Sequence, residues 1–345
     1  MAPPDPCQGG KGAREGVTAR RTLWVLLASL LVALLGLTFS LLVGDTAIDY
    51  GELLRLDPGT SDYQKVFRHR LPRALAAMIV GGALALSGVV FQALIRNPLA
   101  SPYILGVSAG GSLGAVVALA VGLTMTTPAA FVGACVAILL VYSVARTGGR
   151  VPSTTLLLAG VIVNAFFAAA IMLVNLMASP DNQARILRWL VGGMKDDYTA
   201  GGLVGGAIPV AAVAIVVFML SRQLNLVSLG DLNAERAGVA VGRTRTLLFL
   251  LGSLATAVAV SIAGPIGFVG LIVPHLLRLI VGPDHRVLLP AAFLLGGCFL
   301  TVVDTLGQSV WTTPLPAGVV TAFLGGPLFL ALLWRRDRAR AGLDG

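Results

Sequence analysis

Residues 75–94 of this chain carry no charged side chain, and about 20 consecutive apolar residues is the length at which a helix crosses the hydrocarbon of a bilayer. A backbone in lipid must satisfy its own N–H and C=O groups, so a run of this length folds as a helix. Comparable runs occupy residues 23–43, 104–121, 131–145, 156–177, 203–220, 247–281, 287–303 and 319–333. The run 247–281 is too long for one crossing and breaks at Gly264-Pro265, with Pro274 inside its second half. The expected fold class is therefore an all-α polytopic membrane protein of about ten transmembrane helices.

Composition narrows the function. Of 345 residues 56% are hydrophobic and only 12% charged, and the mean hydropathy of +0.88 lies outside the range of soluble domains. A net charge of +9 would suit nucleic acid, but the basic residues sit in short clusters between apolar runs, where topology explains them. Membrane lipid is the expected surrounding, and no nucleic-acid partner is expected. Cys7, Cys135 and Cys298 show no paired spacing, and His69, His275 and His285 lie far apart; neither a disulfide framework nor a metal or cofactor site follows. No phosphate loop of the GxxxxGK[ST] type is present, so the chain is not expected to hydrolyse ATP or to carry catalytic residues.

Residues 1–22 read as a disordered cytoplasmic tail, 23–334 as one transmembrane domain and 335–345 as a cytoplasmic basic tail. Run 23–43 is too long for a signal-peptide core. Residues 44–73 read as a polar segment, and 184–191 as a short amphipathic helix. With the N-terminus inside, most of the 25 Lys and Arg residues fall on the cytoplasmic side. An N-in, C-in arrangement in the cytoplasmic membrane is expected.

Two helix faces are built from small residues. Gly81, Ala85, Gly88 and Gln92 share one face, and Gly106, Gly110 and Gly114 recur every four residues. Such faces let backbones approach closely in lipid. General helix packing is the reading for the glycines.

The segments RLPR (70–73), GGALALSGVVFQALIRNPLASP (81–102), LGVSAG (105–110), LLLAGVIVN (156–164), GPIGFVGLIVPHLLRLIVGPDHRVLLP (264–290) and GVVTAFLGGPLFLALL (318–333) closely resemble the permease subunits of type II ABC importers, the FecCD-type family that moves ferric siderophores, haem and cobalamin. The resemblance runs in family order from Arg68 to Trp334. It implies a permease working as a dimer with a second copy or a paralogue, with two cytoplasmic ABC ATPase subunits and an external solute-binding protein. Ferric siderophore is the implied cargo, with haem or cobalamin as alternatives.

The resemblance also assigns residues. Residues 227–238 are similar to the family's coupling helix, which engages the ATPase through Gly230, Asp231, Ala234, Glu235, Arg236 and Gly238; Asp231 is the expected N-cap and Gly238 the stop. An ordinary solvated loop is the alternative. Arg70 and Arg73 are expected to hold carboxylates of the binding protein, the alternative being interfacial anchoring. Gln308 stands where many members have an arginine, and the turn 311–318 is one residue shorter, which puts the docking surface in question. Asn97, Leu99, Ser153 and Thr154 fall in turns that narrow the inner end of the pore in the family, although Asn-Pro turn chemistry and capping explain Asn97 and Ser153 as well. Asn164 and Asn175 share a helical face and lean towards pore lining, whereas Gln92 leans towards structural hydrogen bonding. Asp304 reads as a capping or ion-paired residue.

A rival class is a stand-alone ion-coupled secondary transporter. It would place ionisable residues at the bilayer midplane, and here Asp304 and Arg278 lie towards span ends. An intramembrane enzyme would need paired His or Asp motifs within spans, and the sequence has none.

Overall fold

The computed structural model describes residues 19–44, 46, 48, 49, 51, 57, 59–146 and 152–341. Of the expected disordered tail, 1–22, residues 1–18 lie outside these, and 19–22 are helical instead, as the first turn of the first helix; the arginine turn at 147–150 and the end of the basic tail at 342–345 also lie outside.

Thirteen helices are described: α1 (Ala19–Leu42), α2 (Ser61–Ile95), α3 (Val107–Ala120), α4 (Thr126–Ala145), α5 (Ser153–Met177), α6 (Pro180–Val191), α7 (Ala200–Met219), α8 (Ser221–Ser228), α9 (Asp231–Arg236), α10 (Val241–Ala263), α11 (Val269–Val281), α12 (His285–Ser309) and α13 (Ala317–Ala341). Seven of them are long and apolar enough to cross a membrane, and α3, α11 and the Ala317–Ala331 part of α13 are shorter apolar helices. Together these are the ten apolar helices expected from the runs, including the break between α10 and α11.

The bundle is organised around α2, whose residues from Val80 to Ile95 are all buried. It packs against α12, α10, α11 and α7, while α1 lies on α12. The small-residue face explains how. A Cβ on Gly81 would collide with the Gly296 carbonyl of α12, and one on Gly88 with the Gly270 carbonyl of α11. Gln92, one turn further, donates to the Gly270 and Leu271 carbonyls at 3.5 and 3.4 Å, so its structural reading agrees with the geometry. Gly110 and Gly114 of α3 meet Gly133 and Ala129 of α4 in the same way. With lipid as the competing solvent, this close contact supplies dispersion that apolarity alone does not.

Three local readings are corrected. The polar segment before the second span is helical from Ser61: Thr60 Oγ1 caps Tyr63 N, and Lys65–Arg70 adopts π-helical register, Leu71 N donating to Val66 O. The wider register ends just where Pro72 has no N–H to give. Second, residues 227–238 do not form one helix; α8 ends at Ser228 and α9 begins at Asp231. Third, Asp231 is not the N-cap. Gly230, with φ +116°, takes that position, and the Asp231 carboxylate turns to two arginines instead. Gly238, at φ +80°, does stop the helix, its N–H reaching Glu235 O.

Helix α11 opens on Phe268, a non-glycine residue with φ +68°. Its ring lies against Gly325 of α13, where no side chain would fit. That packing holds a conformation that costs a bulky residue energy.

Candidate functional site

At the end of the bundle that carries the start of α2, two arginines are engaged by the chain. Arg73 binds Asp304 of α12 through Nε at 2.6 Å and Nη2 at 3.0 Å, and its Nη1 contacts Asp196. Arg70 donates to the carbonyls of Leu41, Leu42 and Thr46 at 3.1, 3.2 and 2.6 Å. Both forks are thus satisfied by the chain itself, and the ion-paired reading of Asp304 agrees with the geometry. Asp196 was not singled out from the sequence, where it looks like one of two loop carboxylates in KDDY.

Beside this pair opens a vestibule of about 970 Å³, lined in part by Arg73, Arg185, Arg188, Trp189, Lys195 and Gln308. It lies between α6, the end of α10 and the α12–α13 turn, with Asp196 and Asp197 on its wall. Helix α6 is held in place by Ile186, which is buried, and by Asn182 donating to Ala120 O at 3.3 Å. Arg185 and Arg188 are exposed and make no ion pair among the described residues. Burial pulls the Lys195 ammonium below the usual lysine range, against Asp197, and pushes the Tyr198 hydroxyl up to about 12. With Asp196 committed to Arg73, cations dominate the vestibule wall.

The opposite end is built on the α2 C-terminus. Arg96 caps α2 in left-handed conformation at φ +54°, and the chain then turns on Asn97, whose Oδ1 accepts from Leu99 N at 3.0 Å. Pro152 and not Ser153 is the N-cap of α5; Ser153 instead donates to Leu94 O at 3.0 Å and ties the start of α5 to the end of α2. Thr154 is exposed and Leu99 half-buried. Along α5, Asn164 is exposed and Asn175 half-buried with Oδ1 lacking a partner. Few of the apolar residues of α5 are buried, and Val161, Ile162, Phe166, Leu173 and Leu176 are all exposed.

Helix α9 is fastened to this end by the Asp231 carboxylate, as α8 is by Asn225, which donates to Asp284 Oδ1 at 2.8 Å. Asp231 Oδ1 receives Arg96 Nη2 at 3.2 Å and Arg245 Nη2 at 3.0 Å, and the latter nitrogen also reaches Leu94 O at 3.4 Å. Arg245 is buried at the start of α10, and the sequence had shown it only as one of several loop arginines. Of the remaining segment residues, Ala234 is fully buried, whereas Glu235, Arg236 and Gly238 are exposed. Leu229 and Leu232 are 69% and 71% exposed. Large apolar side chains on a helix outside the apolar runs are the signal that sequence reading passed over.

These features can be compared with known proteins. A profile of the FecCD transport family matches residues 30–335. The chain belongs to the FecCD transport family. It is 44% identical over 274 residues to the cobalamin import system permease of Halobacterium salinarum, covering 78% of this chain and 72% of that one. It is 35% identical to the hemin transport system permease of Yersinia pestis, covering 94% and 99%. A solved structure described as the inward-facing conformation of a transporter assigned to the metal-chelate ABC type superposes with a TM-score of 0.81 at 30% identity, covering 91% of this chain and 99% of that one. FecCD chains are the permease subunits of ABC importers, and ATP is hydrolysed by a separate subunit. This multi-pass FecCD permease is accordingly a transporter component of the metal-chelate, haem and cobalamin class and not an enzyme.

Proposed function

We propose that this FecCD permease imports an anionic metal chelate, a ferric siderophore first, across the cytoplasmic membrane, with its N- and C-termini inside. The observation that carries the cargo reading is the vestibule beside α6, where Arg185, Arg188, Lys195 and Trp189 face one cavity with Asp197 the carboxylate not engaged by Arg73. Cations attract a chelate with uncompensated carboxylate or catecholate charge, and an indole offers a stacking face to its aromatic groups. A solute-binding protein delivers the chelate at this end. Two ATPase subunits bind at the other, where exposed Leu229 and Leu232 supply apolar contact and Asp231 ties α9 rigidly to α2 and α10. Motion of the ATPase then reaches the spans without slack. The exposed face of α5, with Asn164, suits a wall shared with the second permease, and Asn97, Leu99, Ser153 and Thr154 suit the inner constriction.

Corrinoid import is the second reading, favoured by the 44% identity to the Halobacterium permease. Competition separates the two. In cells carrying the complete importer, an anionic ferric siderophore should be taken up, and Arg185→Glu with Arg188→Glu should lower that uptake at least tenfold. Uptake of cobalamin alone, indifferent to the charge reversal, contradicts the siderophore reading.

A further inference from the structure

Beside the Asp231 clamp, a cavity of about 350 Å³ opens between the α2 C-terminus, α11 and the turn before α12. It is lined by Gln92, Arg96, His275, Arg278, Leu279 and His285, among others. Two of these side chains are buried to 3% and 4% exposure, and each keeps one polar atom without a partner: Gln92 Oε1 and His285 Nε2.

The hydrogen bonds around both groups define what those atoms need. Gln92 Nε2 faces the carbonyls of Gly270 and Leu271, which only accept, so Oε1 is the acceptor left over. Asn225 Nδ2 donates to Asp284 Oδ1 at 2.8 Å, which fixes the amide and leaves its Oδ1 to accept from the His285 amide at 2.9 Å. The same oxygen lies 2.6 Å from His285 Nδ1, so Nδ1 carries the proton and Nε2 is a bare acceptor. A buried acceptor without a donor costs free energy comparable to a lost hydrogen bond. Neither atom is open to a water-sized probe, so both lie behind the cavity wall and mark how tightly α2, α11 and α12 close around it.

What the cavity calls for is negative charge. Arg278 makes no ion pair among the described residues, and Arg96 shares Asp231 with Arg245. A phosphate ester meets this requirement, its oxygens suiting the fork of each guanidinium group. On α11 the cavity runs out onto bare apolar surface, where Leu276, Leu279 and Ile280 are 37%, 68% and 74% exposed. Arginine between apolar side chains at a helix end is the setting in which a charged head meets the lipid interface.

We infer that this cavity binds the phosphate headgroup of an anionic phospholipid, with the acyl chains along Leu279 and Ile280. The lipid then sits against Arg96 and so against the Asp231 clamp, coupling membrane composition to the α8–α9 segment.

The test needs no cargo. The purified permease, with and without its ATPase subunit, is delipidated by detergent exchange, back-titrated with phosphatidylglycerol, phosphatidylcholine or free glycerol 1-phosphate, and read by native mass spectrometry. Phosphatidylglycerol should be retained at least tenfold more tightly than phosphatidylcholine. Arg278→Gln should remove that preference and Arg278→Lys should restore part of it. Leu279→Ser, at an exposed position that leaves the core intact, should weaken the lipid but not glycerol 1-phosphate. Equal retention of the two lipids, or a preference indifferent to both Arg278→Gln and Leu279→Ser, overturns the site. Glycerol 1-phosphate binding as tightly as the lipid overturns the lipid assignment in favour of a soluble phosphate ester. Loss of the adduct from the permease on adding the ATPase subunit overturns it in favour of a protein interface.

Discussion

Arg73 holds Asp304 with two guanidinium nitrogens, at 2.6 and 3.0 Å, and so pins the start of the α2 span to the far end of α12. The side chains are 14% and 5% exposed. A bidentate pair at this burial is held within the chain. Removing one partner of a buried pair leaves the other charge uncompensated, at a typical cost of about 3–5 kcal/mol. Arg73→Ala should therefore lower the thermal unfolding midpoint of the purified permease, and adding Asp304→Asn should recover part of the loss. A midpoint unchanged by Arg73→Ala would show the pair to be dispensable. Charge reversal at Arg73 is for the same reason expected to disturb the fold itself, not only the association with a binding protein.

The coupling segment gives a sharper contrast. Leu232 is 71% exposed and Ala234 fully buried. Leu232→Asp should leave folding intact and weaken ATPase retention on a pull-down at least tenfold, about 1.4 kcal/mol in binding. Ala234→Trp overpacks the interior of this chain, at about 1–3 kcal/mol, and should lower the thermal midpoint of the permease without its ATPase. If Ala234→Trp leaves that midpoint unchanged while ATPase binding is lost, the residue faces the partner after all.

Gly88 tests the packing of the core. Its missing side chain leaves room for the Gly270 carbonyl of α11, which is backbone and cannot rotate away. Gly88→Ala should force α2 and α11 apart and reduce the yield of monodisperse protein in size-exclusion chromatography, whereas Gly201→Ala, where nothing lies within 4 Å, should not. Equal behaviour of the two variants would contradict the close approach.

Much of this architecture was legible because lipid leaves a helix few options. Apolar runs marked the helices, Gly264-Pro265 marked the break between α10 and α11, and the faces of Gly81, Gly88, Gly110 and Gly114 found the backbones they were spaced for. What escaped were features that only tertiary contact decides. Hydropathy does not see a helix such as Ser61–Arg70, whose polar residues are held by a cap and a Lys65–Asp62 pair at 2.7 Å. Nor does spacing show that Asp231, a good N-cap by type, faces Arg96 and Arg245 from distant parts of the chain. The inward direction of Ala234 was hidden likewise, since a six-residue helix has too few turns to display a periodic face.

Orientation follows from the distribution of Lys and Arg. A cysteine at Arg146 should be labelled by an impermeant maleimide only from the cytoplasmic side, and one at Asp181 only from outside. Both positions are exposed. Labelling of both from one side would contradict an N-in, C-in arrangement of ten apolar helices.

The most direct measurement is uptake of a ferric siderophore into proteoliposomes containing this permease, with its ATPase subunit and binding protein added or withheld. Uptake should require the ATPase, ATP and the binding protein together, and Leu232→Asp should abolish it while the isolated ATPase keeps its turnover. Uptake at the full rate with the ATPase withheld, driven by an ion gradient alone, would contradict an ATP-driven importer.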